Sequence, residues 1–257
     1  MRLFAVSALF ASAVFASSLP DPTADQIDGI IAKFAAKEAA FAQARSNYTY
    51  RQTCKIQELD ESGGAHGKYE IVSDIVFTPE GKRTEHVVRA PVTTLQNILL
   101  TPQDEQDLRD VQPFVLTTKE IPFYNIRYLG REKLDEITTY SFAVKPKKLE
   151  PGKRYFEGIV WVDDKDLQIV KSYGRGVGQM KHSEDNQFPK FETYREQVDG
   201  KYWFPTYTIA NDTLNFKDMS QRIRMTVKYE DYKQFKSDVN IKYGDVDEQP
   251  KDPIKKP

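Results

Sequence analysis

Histidines, cysteines, acids and glycine clusters are the residues through which a chain carries catalysis or holds a metal, and their spacing here favours neither. The histidines His66, His86 and His182 stand in a glycine loop, a strand-like stretch and a polar loop, none beside a second ligand-type residue at metal spacing. Asp163, Asp164 and Asp166 cluster tightly, yet the glycine and distant glutamate of a calcium loop are missing, so they read as solvated turn residues. There is no Gly-x-Ser-x-Gly elbow, and no Cys-His pair with a supporting acid is nominated by spacing. Gly174-Arg175-Gly176-Val177-Gly178 follows a strand, as a phosphate cradle would, but no Lys-Ser/Thr follows. The stretch 179–186 is also too polar for the required helix, so these glycines read as a flexible linker between strands. Cys54 is the sole cysteine, which excludes an internal disulfide and a cysteine-based metal site, and it reads as a small buried filler. The sequons at Asn47 and Asn211 are short enough to arise by chance. No catalytic residue, metal or cofactor is therefore expected. An enzyme would need His86, the strand-borne histidine, to meet acids in a cavity.

Charge narrows the partners. Lysines and arginines number 37 against 38 acids, a formal net charge of -1 that gives no reason to expect nucleic acid. One basic cluster stands out, Lys145, Lys147, Lys148, Lys153 and Arg154, with Pro146, Pro151 and Gly152 holding the loop open. It can serve as a surface contact for anionic lipid headgroups or an acidic partner, each basic residue contributing on the order of 1 kcal/mol there. It can equally be a solvated loop kept soluble by its charge.

The elements that must position any site are mostly strands. Met1 to Ala16, with Arg2 before the apolar stretch Leu3 to Phe15, reads as a signal peptide, too short for a membrane span and ended by Pro20-Asp21-Pro22. Secretion across an inner membrane into the periplasm is the expectation. Ala24 to Ser46 is the clear helix, with Ile27, Ile31 and Phe34 at helical spacing to lie on a sheet. Strands follow over 48–59, 68–78 and 82–89, joined at Gly63-Gly64 and Pro79-Glu80-Gly81, then over 123–131 and 136–145. Two hairpins and a closing strand occupy 154–235, with turns at Asp163-Asp164-Lys165 and Asp199-Gly200. Clean alternation in Arg222 to Tyr229 gives that strand one wet face and one buried face. Tyr155 to Val162 is apolar on both faces and must be covered on both.

Between Pro91 and Pro122 the alternation stops. Thr101-Pro102-Gln103-Asp104 predicts a short helix from Pro102 to about Val111, flanked by apolar residues at 95–100 and 114–116. The segment is either a lid over an apolar cavity or an ordinary cross-connection packed on the core. Residues 20–236 are expected to form a single domain, and 237–257, rich in proline and charge, a disordered tail.

In its order of elements the chain resembles the outer-membrane lipoprotein-sorting family, the LolA/LolB-like carriers, and the related RseB N-terminal domain. The resemblance spans roughly 24–235. It rests on an exported chain, an amphipathic helix leading into Tyr48-Thr49-Tyr50, a long meander, and the hairpin Phe156 to Asp163 into Leu167 to Lys171. It implies an α+β, mainly antiparallel fold: a strongly curved, incomplete β-barrel of about 10–11 strands with an N-terminal helix and a helical lid segment. It further implies a concave face that takes up the acyl chain of a lipid or lipoprotein. Candidate lining residues are then Tyr140, Phe142, Tyr155, Ile159 and Trp161, with Leu99, Leu100 and Phe114 in the lid. A monomeric carrier is one reading. A non-enzymatic envelope interaction or stress-sensing module of the same fold, with an envelope protein partner, is the other.

Overall fold

The computed structural model describes residues 21–78, 82–108, 113–179 and 189–234. The stretch 1–16, the turn at 79–81, His182, the far end of the helix expected to reach Val111, and the tail 237–257 lie outside the described residues. One helix comes first, α1 (Ala24–Arg45). Three strands follow, β1 (Tyr48–Leu59), β2 (Ala65–Phe77) and β3 (Arg83–Thr93), then the short helix α2 (Pro102–Gln106). Seven strands complete the chain: β4 (Tyr124–Leu134), β5 (Ile137–Pro146), β6 (Tyr155–Asp163), β7 (Ile169–Val177), β8 (Phe191–Gln197), β9 (Trp203–Asn215) and β10 (Ser220–Gln234).

Among the described residues ten strands form one sheet in the order β3-β2-β1-β10-β9-β8-β7-β6-β5-β4. Every neighbouring pair is antiparallel, and the sheet does not close, so it is an open half-barrel with β3 and β4 as its edges. Because β3 and β4 lie at opposite edges, residues 94–123 must cross the whole sheet to join them.

Alternation selects the concave face strand by strand. In β1 the alternate buried positions are Tyr48, Tyr50, Gln52, Cys54, Ile56 and Glu58, with Leu59 buried at the strand's end, and in β10 they are Gln221, Ile223, Met225, Val227 and Tyr229. The register pairs Cys54 with Val227 and Ile56 with Met225, so the two rows share a face. Helix α1 starts with a capping box, in which Thr23 N–H donates to Gln26 Oε1 at 2.8 Å and Gln26 N–H to Thr23 Oγ1. Its stripe buries Phe34, Ala35, Glu38 and Phe41. Phe34 packs on Phe142 of β5, ring centroids 5.4 Å apart, and Phe41 meets Phe204 edge-on at 5.2 Å. Each fully buried aromatic of this kind stabilises the fold by about 1.5–3 kcal/mol.

Two expectations are corrected. Gly174 and Gly176 belong to β7 and are not a linker. A Cβ on Gly174 would stand 2.7 Å from the ring of Phe156 and one on Gly158 2.8 Å, so these two glycines make room for that ring, whereas a Cβ on Gly176 would meet Asp107 and Arg154. Asp163 is buried rather than solvated, because its carboxylate accepts the Lys165 and Asp166 N–H groups at 2.7 and 2.6 Å and closes the β6–β7 turn.

Candidate ligand-binding cavity

The crossing segment is held down by ionic groups at three points. Glu58, fully buried on β1, accepts the backbone N–H groups of Gln96, Asn97 and Ile98 at 2.8, 2.7 and 2.7 Å. Three charge-assisted bonds from consecutive amides fix the start of the crossing. Asn97 adds a bond to Gln221 at 2.7 Å. After α2, whose Asp104 N–H and Thr101 Oγ1 form the expected cap, Asp107 pairs with Arg154 at the start of β6, Nε to Oδ1 2.7 Å. Arg195 on β8 donates to the Phe114 carbonyl and, at 3.1 Å, to both oxygens of Glu38 on α1. Glu38 also accepts the Ile169 N–H at 3.2 Å, and the Arg195 guanidinium lies 5.2 Å from the Phe41 ring centre.

Between the first two anchors lies a cavity of about 350 Å³. Its floor is the concave face of the sheet: Ile56 of β1, Phe191 of β8, Leu214 of β9, and Ile223 and Met225 of β10. Its roof is Ile98, Leu99, Leu100 and Leu108 of the crossing segment. Polar residues are confined to the crossing segment: Asn97, Thr101, Asp104 and Asp107. A volume and lining of this kind are those of a small-molecule site that takes an apolar group. Beyond it, under α1, the concave face is filled by Phe34, Phe142, Val160, Phe156 and Phe114, the last two stacked 4.5 Å apart.

The residues expected from the sequence are distributed unevenly over this geometry. Leu99 and Leu100 line the cavity, Leu99 with 85% of its surface still exposed. Phe114 lies deeper along the same segment, between Phe156 and Tyr124. Tyr140 and Phe142 are buried in the packed half. Tyr155 packs on Tyr124 at 6.2 Å. Trp161 and Ile159 face the other way, since β5–β6 register pairs Phe142 with Val160 and Ser141 with Trp161. On that outer face the Trp161 indole N–H donates to Glu132 at 2.6 Å, and Lys171 lies 5.1 Å from its ring.

The basic loop also divides. Lys147 and Lys148 are exposed, Lys145 lies 3.5 Å from Glu157, and Lys153 pairs with Glu150 at 2.6 Å. Arg154 departs from a surface role: its side chain is 4% exposed and is spent on Asp107. Cys54 is buried and its thiol is pushed up to about 12, chiefly by burial and then by Glu85. Among the described residues no group of three or more His, Cys, Asp and Glu side chains could hold a metal ion.

Sequence reasoning missed Ile56, Phe191, Leu214, Ile223 and Met225. The alternation in 222–229 marks Ile223 and Met225 as buried, but only the pairing of β10 with β1 and β9 places them opposite the crossing segment.

The class these features define is an open antiparallel half-barrel with a strapped, apolar cavity on its concave face. No protein-family model matches the chain, and no curated protein does. Solved structures similar to it include a LolA superfamily protein from Nitrosomonas europaea, at 14% identity over 80% of this chain and 92% of that one, TM-score 0.37. A DUF1329 family protein from Desulfovibrio piger follows at 13% identity, covering 82% and 94%, TM-score 0.37. An outer membrane lipoprotein-sorting protein domain from Vibrio parahaemolyticus is 11% identical, covering 79% and 93%, TM-score 0.35. With TM-scores below 0.5 these likenesses carry nothing about the cavity, whose reading rests on this chain's own residues.

Proposed function

We propose that the protein is an exported, monomeric carrier that takes one acyl chain of a lipid or lipoprotein into the cavity beneath residues 98–101. The observation that carries this reading is the lining, aliphatic and aromatic on the sheet side, with polar groups confined to the strap. Burying a chain there contributes about 0.8 kcal/mol per methylene before ordering costs, which gives reversible binding rather than permanent capture. Leu99, exposed on the strap, is the residue a chain meets first on entry, and Lys147 and Lys148 are a contact for anionic headgroups. The export signal read in 1–16 belongs to the same proposal, as does the single domain over 20–236.

The second reading, an envelope interaction or stress-sensing module, is favoured by the solid packing of the concave face under α1. Native mass spectrometry of the mature protein purified without detergent, with organic extraction, separates the two. A stoichiometric acyl-containing species supports the carrier. A clean apo mass that stays unchanged after lipid addition supports the module.

A further inference from the structure

A second hollow of about 320 Å³ adjoins the apolar one and differs from it in chemistry. Its walls include Gln52 and Cys54 of β1, Tyr69 of β2, Glu85 of β3, and Glu105 and Leu108 of the strap. The two hollows share Leu108, and their β1 floors, Ile56 and Cys54, are two residues apart on one face, about 7 Å. A molecule with its chain in the first reaches the second by passing beneath Leu108.

Acceptors line the second hollow, and two further donors stand in the layer just beneath its lining. In the sheet register Ser73 stands between Gln52 and Val87, both of which line the hollow, and shares their face. Ser73 is 1% exposed, and its Oγ has no hydrogen-bond partner among the described residues. The Nε of Arg83 is likewise buried without one. Arg83 donates through its other nitrogens to Gln52 at 3.0 Å and Glu85 at 3.3 Å, so cation and carboxylate are already balanced against each other. A carboxylate in one bond still has lone pairs to accept others. A buried hydroxyl left without a partner is costly and marks a place where a bound polar group belongs.

Resting on the carrier reading, we infer that this second hollow binds the head of the same amphiphile, and that the head is uncharged and polyhydroxylic, of the glycerol or sugar type. Hydroxyl groups donate to Glu85 and Glu105 and accept from Ser73 and Arg83. An anionic head meets two carboxylates, and an ammonium head leaves both donors unsatisfied.

The test is calorimetric titration of the mature protein with three amphiphiles sharing a twelve-carbon chain, below their micelle concentrations: lauroyl glycerol, laurate and laurylamine. Lauroyl glycerol is expected to bind at least tenfold more tightly than either other, and Ser73→Ala to shrink that preference several-fold while the melting temperature stays near that of the native protein. Equal affinities, or tighter binding of laurate or laurylamine, overturn the head-group assignment and leave the acyl site standing. An unchanged preference in a folded Ser73→Ala protein removes Ser73 from it. Binding of none of the three overturns the carrier reading itself.

Discussion

At the scale of single residues, the buried charges set the terms. Glu58 is fully enclosed and answers three amide donors with one carboxylate. Glu58→Gln replaces one acceptor oxygen with a donor, so at least one of those amides loses its partner. We expect a loss of about 1–3 kcal/mol, measured by urea unfolding, with faster hydrogen exchange at 96–98 before any other part of the strap. Unchanged exchange there would contradict the anchoring role. Cys54 yields a pH prediction. Its thiol is raised from 9.0 to about 12 by burial, then by Glu85. Above pH 9 the unfolded chain therefore binds fewer protons than the folded one, and stability falls with rising pH. The slope from this group is up to about 1.4 kcal/mol per pH unit, ending where the folded thiol titrates. Below pH 9 it contributes no slope.

At the scale of elements, the sheet keeps its curvature and filling through particular contacts. Gly174→Ala drives a methyl into the ring of Phe156, whose nearest atom would lie 2.7 Å away, and into the Glu157 carbonyl. A cost of about 1–3 kcal/mol in thermal unfolding is expected, and none would mean that Phe156 can tilt freely. Helix α1 and the strap meet at Arg195. Arg195→Met strands the buried Glu38 and should cost about 3–5 kcal/mol, whereas adding Glu38→Leu should restore much of the loss. The midpoint of chemical unfolding reads both. Much of this level was legible in the sequence. The helix, its apolar stripe, the hairpins and the Thr101 cap follow from local pattern, and the ends of the first five strands fall within three residues of those expected, save β3, which runs on past Arg89 and Pro91 to Thr93. The glycines of β7 were misread because their reasons lie elsewhere in the chain, the Phe156 ring of β6 for Gly174 and the Asp107–Arg154 pair for Gly176, which no local pattern displays. Glu38 was hidden too, since a charge on a helix reads as a wet position until its partner on β8 is known.

At the scale of the whole molecule, the order of strands explains the cavity. Strands β3 and β4 are the opposite edges of the ten-stranded sheet, so the chain between them must pass over the concave face, and its apolar residues become a roof. That the 91–122 segment breaks the strand pattern and carries Leu99 and Leu100 could be read from the sequence. Which side chains lie opposite it could not. Each strand's alternation gives two faces, but only register tells which face of one strand joins which face of the next. Tyr140 and Phe142 thus share a face with Val160, while Trp161 and Ile159 lie on its back. The expected lining mixed the two.

The central claim is that an acyl chain lies between the strap and the β1, β9 and β10 floor. Photolabelling with a twelve-carbon fatty acid carrying a diazirine near its terminal methyl, followed by peptide mapping, reads its position directly. Label on Ile56, Leu214, Ile223, Met225 or residues 98–100 is the predicted result. Label concentrated around Trp161 and Ile159 on the outer face, or no label competed by unmodified fatty acid, would contradict it.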